Sequence, residues 1–197
     1  MFNSTTDSAI RGRGMIYKPQ AGIQVARATN TLIEGITLIN ANLDTREAKI
    51  VHIRDVKSFS ATQWGDGMDF YCSQGVLVED VLYRNSDDCV TIYNHGNEWS
   101  GDPRNITVRD SSFWADVAHP INVGMHGNTD HPETMSEITS SNIDILDHRE
   151  PQFDYQGCIA INPGDSNLVR DVLIENIRVE DFHVGQLLNK RVMYNTK

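Results

Sequence analysis

One eight-residue pattern occurs six times along the chain: TLIEGITL from Thr31, VHIRDVKS from Val51, VLVEDVLY from Val76, ITVRDSSF from Ile106, ITSSNIDI from Ile138 and VLIENIRV from Val172. Each reads as a short strand, a bend and a second short strand, with β-branched and large apolar residues alternating with polar ones as half-buried strands require. The fifth position is Gly35, Asp55, Asp80, Asp110, Asn142 and Asn176 in turn, residue types that tolerate a tight bend or a left-handed backbone. Intervals between bends grow from 20 to 34 residues, which describes a constant coil carrying loops of increasing length. No stretch sustains a helical period. A repeat of this length, all strand and without paired hairpin turns, predicts an all-β solenoid in which each coil adds one strand to each of several parallel sheets. The expected fold is a right-handed parallel β-helix of about seven coils, at roughly 28 residues per coil. A β-sandwich competes, but it needs hairpin turns and leaves the repeated bend unexplained.

The remaining composition narrows the function. With 197 residues, the chain is expected to form a single β-helix domain over 1–197. A net charge of −10 and a pI near 5.0 argue against nucleic acid or an anionic membrane surface as partner. No apolar run reaches membrane-spanning length, and MFNSTTDSAI has neither the basic nor the apolar region of a secretory signal. A secreted or periplasmic location therefore needs a signal outside this sequence. Cys72, Cys89 and Cys158 have no zinc-site spacing and are too few for a disulfide framework, so they are read as buried apolar filler.

Stacking turns sequence distance into proximity. Equivalent positions on successive coils lie about 4.8 Å apart, so the strands that follow each loop can be aligned: D-G-M-D-F from Asp66, D-C-V-T-I from Asp88, H-P-I-N-V from His119 and G-C-I-A-I from Gly157. Met68, Val90, Ile121 and Ile159 form one apolar column, and Phe70, Ile92, Val123 and Ile161 another. The column ahead of them reads Asp66, Asp88, His119, Gly157, with Asp87 alongside. An isolated Asp at a bend is ordinary turn chemistry; three carboxylates and an imidazole stacked on one patch are not required by any turn. Mutual repulsion raises the pKa of at least one of them. A protonated acid beside an ionised carboxylate is the pair that glycoside hydrolysis uses.

GDGMDF followed by NSDDCVTIY, 21 residues from Asp66 to Asp87, resembles the polygalacturonase family, whose signature is N-T-D-G-x-D and then a D-D pair one coil later. AHPINVGM is similar to that family's G-H-G-x-x-I-G segment. The resemblance runs from about Thr31 onward and is tightest from Trp64 to Gly124. It implies an inverting hydrolase on a right-handed β-helix, with Asp87 as general acid, Asp66 and Asp88 holding and activating the water, and His119 orienting or tuning the acid. Trp64 and Gly65 stand where that family has Asn and Thr, and Pro120 where it has Gly. Its R-x-K pair, which grips the substrate's uronate carboxylate, should fall near Cys158 and Ala160, neither of them basic. SFWADVAHPINVGM and IAINPGDSNL resemble segments of the related dextranases and isopullulanases, so a neutral α-glucan is slightly favoured over polygalacturonate. No cofactor and no metal is implied.

Four further residues are substrate-binding candidates: Trp64; Asp69, the second aspartate of D-G-M-D; Tyr93; and Trp99 in the polar loop NHGNEWSGDPR, where an aromatic either stacks on a sugar or packs its own loop. Trp114 is read as core and His95 as a loop residue. His126, Asp130, His131 and Glu133 have a spacing that could hold a metal, though such runs are more often solvated loop. Neither MFNSTTDSAIRGRG nor LLNKRVMYNTK reads as an apolar cap, so a shortened or excised solenoid is expected, either monomeric or associating through its ends. Two functional readings follow: the hydrolase, and a non-catalytic β-helix that binds carbohydrate or forms a structural trimer.

Overall fold

A computed structural model of the protein describes residues 1–18, 22–151, 157–181 and 188–190. It is a right-handed parallel β-helix with no helix among the described residues. One eight-stranded sheet takes a strand from each coil: Phe2–Asn3, Ile23–Ala26, Leu43–Arg46, Met68–Tyr71, Val90–Tyr93, Ile121–Gly124, Ile159–Asn162 and Leu188–Lys190, every neighbouring pair parallel. We call this the site sheet and number the coils by it. Apart from a two-stranded antiparallel ribbon of His95–Gly96 with Trp99–Ser100, the other strands belong to a second sheet, folded along the bend of the repeat. Early coils cross the fold as two strands, such as Lys49–Arg54 and Lys57–Phe59, and later ones as single long strands, Arg104–Ala115, Thr134–His148 and Leu168–Val179. The expected seven coils are present, followed by the first strand of an eighth. Of the tail read for a cap, only 188–190 lies within the described residues.

The bend column behaves as its residue types require. Gly35, Asp55, Asp80, Asp110, Asn142 and Asn176 all have φ between 49° and 78°. Side-chain amides tie several coils together there: Asn142 Nδ2 donates to Asp110 Oδ1 at 2.8 Å and Asn176 Nδ2 to Asn142 Oδ1 at 2.7 Å. A second column of left-handed residues precedes it, Asp7, Asn30, Ile50, Gly75, Asn105, Glu137 and Asp171. Ile50 is the misfit, a β-branched residue at φ 56° and 59% exposed.

Both predicted apolar columns are in register: Met68, Val90, Ile121 and Ile159 pair in sequence, as do Phe70, Ile92, Val123 and Ile161. All are buried except Ile161, which is half-buried. All but Ile161 join Ile33, Ile53, Val78, Val108 and Phe113 of the second sheet in one continuous apolar cluster. Burying one such side chain contributes about 1.5–3 kcal/mol. The three cysteines are free and buried, as read from the sequence. Trp114 departs from its reading: it is half-buried on the outer surface, with the Arg84 guanidinium 4.3 Å above its ring.

Candidate active site

The parallel register gives the site sheet two edges. All strands run the same way, so the loops that lead into them gather along one edge and the loops that leave them along the other. Asp66, Asp87, Asp88 and His119 lie on the leading edge of coils four, five and six, just before the strands Met68–Tyr71, Val90–Tyr93 and Ile121–Gly124. Gly67 permits the close stacking. Its N–H donates to the Asp88 carbonyl at 2.9 Å, and a Cβ there would sit 2.4 Å from the Cys89 carbonyl oxygen.

The predicted carboxylates converge. One oxygen from each of Asp66, Asp87 and Asp88 lies within 4.8 Å of the others. Asp88 is buried and richly supplied with donors: its Oδ1 accepts from the His119 backbone N–H at 2.7 Å and from His119 Nδ1 at 3.0 Å, and its Oδ2 from Asn122 Nδ2 at 2.9 Å. Three N–H groups thus converge on this one carboxylate. Asp87 and Asp66 are half-buried. Burial, then the Asp88 charge, pushes Asp87 up to about 6. Burial first, then Asp69, Asp88 and Asp87, pushes Asp66 up to about 10. The patch thus keeps protons on Asp66 and Asp87 at mildly acidic pH. His119, expected to orient the acid, is fully buried and docks on Asp88. Behind it the His148 ring stacks at 6.3 Å, and burial, then His119, lowers His148 to about 4, so it adds no charge.

Several contributors escaped the sequence reading. Asn122 is the outward residue between the two core columns, in the row Gln24, Asp44, Asp69, Thr91, Asn122, Ala160. Reading that row as well as the apolar ones would have found it. Glu150, buried in the loop before coil seven, accepts from the Ala118 N–H at 2.9 Å and so braces the approach to His119.

The substrate-binding candidates separate. Trp64 is 73% exposed, two residues ahead of Asp66, with its ring open to a ligand. Asp69 is buried in the outward row, accepts from the Thr91 hydroxyl, and is pushed up to about 8 by burial and then by Asp44. Tyr93 is buried between Tyr71, at 5.0 Å between ring centroids, and His126, at 5.3 Å. Trp99 is 6% exposed, so the sugar-stacking reading is corrected to loop packing: its ring lies on Ala26 and Cys72 under the Arg27 guanidinium at 4.4 Å.

The basic-pair positions also need refining. Cys158 points into the core; the outward residues of Ile159–Asn162 are Ala160 and Asn162, aligned with Asn122 and Gly124. Neither is basic. Among the described residues, the one set of three clustered His, Cys or acidic side chains able to share a cation is Asp66, Asp87 and Asp88; the spacing around His126 and His131 assembles no such set.

The chain matches the family model "Glycosyl hydrolases family 28" over residues 1–150. It belongs to that family. Among curated proteins nothing matches. Solved structures similar to this family 28 chain include a hyperthermoactive exopolygalacturonase from Thermotoga maritima, at 15% identity and TM-score 0.55 over 88% of this chain and 54% of that one. Another is the family 28 exopolygalacturonase of Yersinia enterocolitica, at 12% identity and TM-score 0.40 over 84% and 46%. The first likeness is one of fold. The chain spans about half the length of both. Membership makes the chain polygalacturonase-like, and the leaning toward a neutral, dextranase-like substrate is left resting on the uncharged Ala160 and Asn162.

Proposed function

We propose that the protein is a glycoside hydrolase that cleaves an α-linked polysaccharide with inversion. The observation that carries this is the grouping of three carboxyls within 4.8 Å of one another: Asp88 accepting hydrogen bonds from His119 and Asn122, Asp87 holding a proton up to about pH 6, and Asp66 protonated beside them. Asp87 gives its proton to the glycosidic oxygen as the bond from that oxygen to the anomeric carbon breaks. A water held between Asp66 and Asp88 attacks the same carbon from the opposite face and passes its proton to Asp88. Most inverting sites separate their carboxyls by about 6.5–9.5 Å, a wider gap than the closest oxygens leave here. Inversion therefore rests on the number of carboxyls, since two can hold the water while the third protonates.

A neutral or sparsely charged glycan suits this patch better than polygalacturonate. The outward residues Ala160 and Asn162 offer no cation to a uronate. Trp64 offers a ring face to a sugar beside the cleavage point.

The test is reducing-sugar release from dextran, pullulan, polygalacturonate and an arabinogalactan, with proton NMR of the first product to read its anomeric configuration. Asp87→Asn is expected to lower the rate by about 10²–10⁴-fold. Retained configuration would overturn inversion. A folded protein inactive on all four would favour the non-catalytic, glycan-binding reading.

A further inference from the structure

The trailing edge of the site sheet carries a pocket of about 560 Å³ whose walls include Tyr71, His95, Asn97, His126, Asp130 and Asp165. This lies in the range of small-molecule sites, about 300–1,000 Å³. It is separate from the three carboxyls, none of which lines it. Asp66 and Tyr71 belong to the same coil on opposite edges of the sheet, and three residues of strand, Met68 to Tyr71, already span about 10 Å.

The pocket is built and braced. Asn167 ties its three loops together: its Nδ2 donates to the His126 carbonyl at 3.0 Å and to Asn94 Oδ1 at 3.3 Å, and its Oδ1 accepts from the Glu133 N–H at 3.1 Å. Asp165 Oδ2 accepts from the Gly127 N–H at 3.1 Å. Tyr71, Tyr93 and His126 continue as a stack of rings from the sheet into this wall. The chemistry of the walls selects the ligand. No Lys or Arg lines the pocket to neutralise an anion. Its imidazoles and carboxylates do not come together as a cation-binding set of three. What remains is a mixture of amide, imidazole and carboxylate groups around a tyrosine ring, which suits an uncharged polyhydroxylated ligand. Burial lowers the His126 pKa, keeping that ring a neutral hydrogen-bonding partner.

Loops gather along both edges of the site sheet, the three carboxyls on the leading edge and the pocket on the trailing edge. A glycan main chain running along the coil axis past Asp66, Asp87 and Asp88 would have the pocket to its side. We propose that this pocket binds a side-chain sugar of a substituted glycan, so that the substrate is a branched polysaccharide; this rests on the hydrolase reading above for the placement of the main chain.

The test uses the whole chain carrying Asp87→Asn, so that turnover does not consume the ligand. Affinity electrophoresis is run in gels cast with xylogalacturonan or the same polymer stripped of xylose, and with arabinogalactan or its debranched galactan. At least one substituted polymer is expected to bind about tenfold more tightly than its stripped main chain. Thr129→Trp, which fills the pocket, should abolish that difference with an unchanged circular dichroism spectrum. His95→Ala, which removes one polar wall group, should cut it by about half. Equal binding of substituted and stripped polymers in both pairs, a difference that survives both variants, or no binding to any polymer overturns the proposal. The hydrolase reading fails separately, when the unaltered chain releases no reducing sugar from a polymer that the Asp87→Asn chain binds.

Discussion

Asp87 sets the pH range in which the proposed reaction can run. With its pKa raised to about 6 by burial and by Asp88, the acid loses its proton above that pH. The rate constant kcat/KM is expected to fall about tenfold per unit beyond it, and a pH profile on the responding substrate checks this. Stability should follow the same direction for a different reason. Asp66 and Asp69 are raised to about 10 and about 8, so the folded state keeps protons that the unfolded chain releases near pH 4. The favourable contribution is complete below that pH and is lost as pH rises through about 8 and then about 10. Tm should therefore decline between pH 5 and pH 9, and Asp69→Asn should flatten the decline in a thermal melt series. Trp64→Ala should raise KM severalfold with kcat little changed, because the ring can touch sugar without touching the reacting bond. The convergence of Asp66, Asp87, Asp88 and His119 was legible because parallel stacking converts a repeat into a column. Glu150 was not, since it acts through a backbone N–H across a loop with no pattern. Trp99 was misread because a polar loop's composition does not reveal that the loop folds back beneath Arg27.

At the scale of the coil, the bend carries the specificity of the fold. Left-handed backbone costs a residue with a Cβ about 1–2 kcal/mol, least for Asn, whose short amide can also join a ladder like that of Asn142 and Asn176. Ile50 has neither advantage and is largely exposed, so Ile50→Asn should stabilise the protein by about 1 kcal/mol, read as a shift in the denaturation midpoint. Gly67→Ala should do the reverse. Its Cβ has no room beneath the Cys89 carbonyl, so coils four and five must separate, at a cost of about 1–3 kcal/mol and with loss of the carboxylate geometry. The first bend column could be read directly because its six residues sit inside a recurring motif. The second, containing Ile50 and Glu137, was invisible to that reading because these two are not residue types that advertise a left-handed turn.

Across the whole molecule, each coil touches mainly its neighbours, and stability is close to a sum of coil and interface terms. Central coils are packed on both sides: Phe70, Ile92 and Phe113 are fully buried, whereas Ile10 in the first coil is only partly so. Ile92→Ala should cost about 2–5 kcal/mol, and Ile10→Ala distinctly less. Amide hydrogen exchange should show protection falling from coils four to six toward either end. The architecture was readable at this scale because one repeat with one bend admits few other folds. The pocket on the trailing edge was not, since its walls are brought together by Asn167 from loops with no motif in common. The residues of the proposed active site are divided in the same manner: Asp66 comes from one turn of the solenoid, Asp87 and Asp88 from the next, and His119 with Asn122 from the one after. Copying a turn outside coils four to six within the gene would therefore lengthen the solenoid by about 4.8 Å without disturbing that constellation, so that such a protein can vary the length of glycan it grips while its proposed reaction centre stays single.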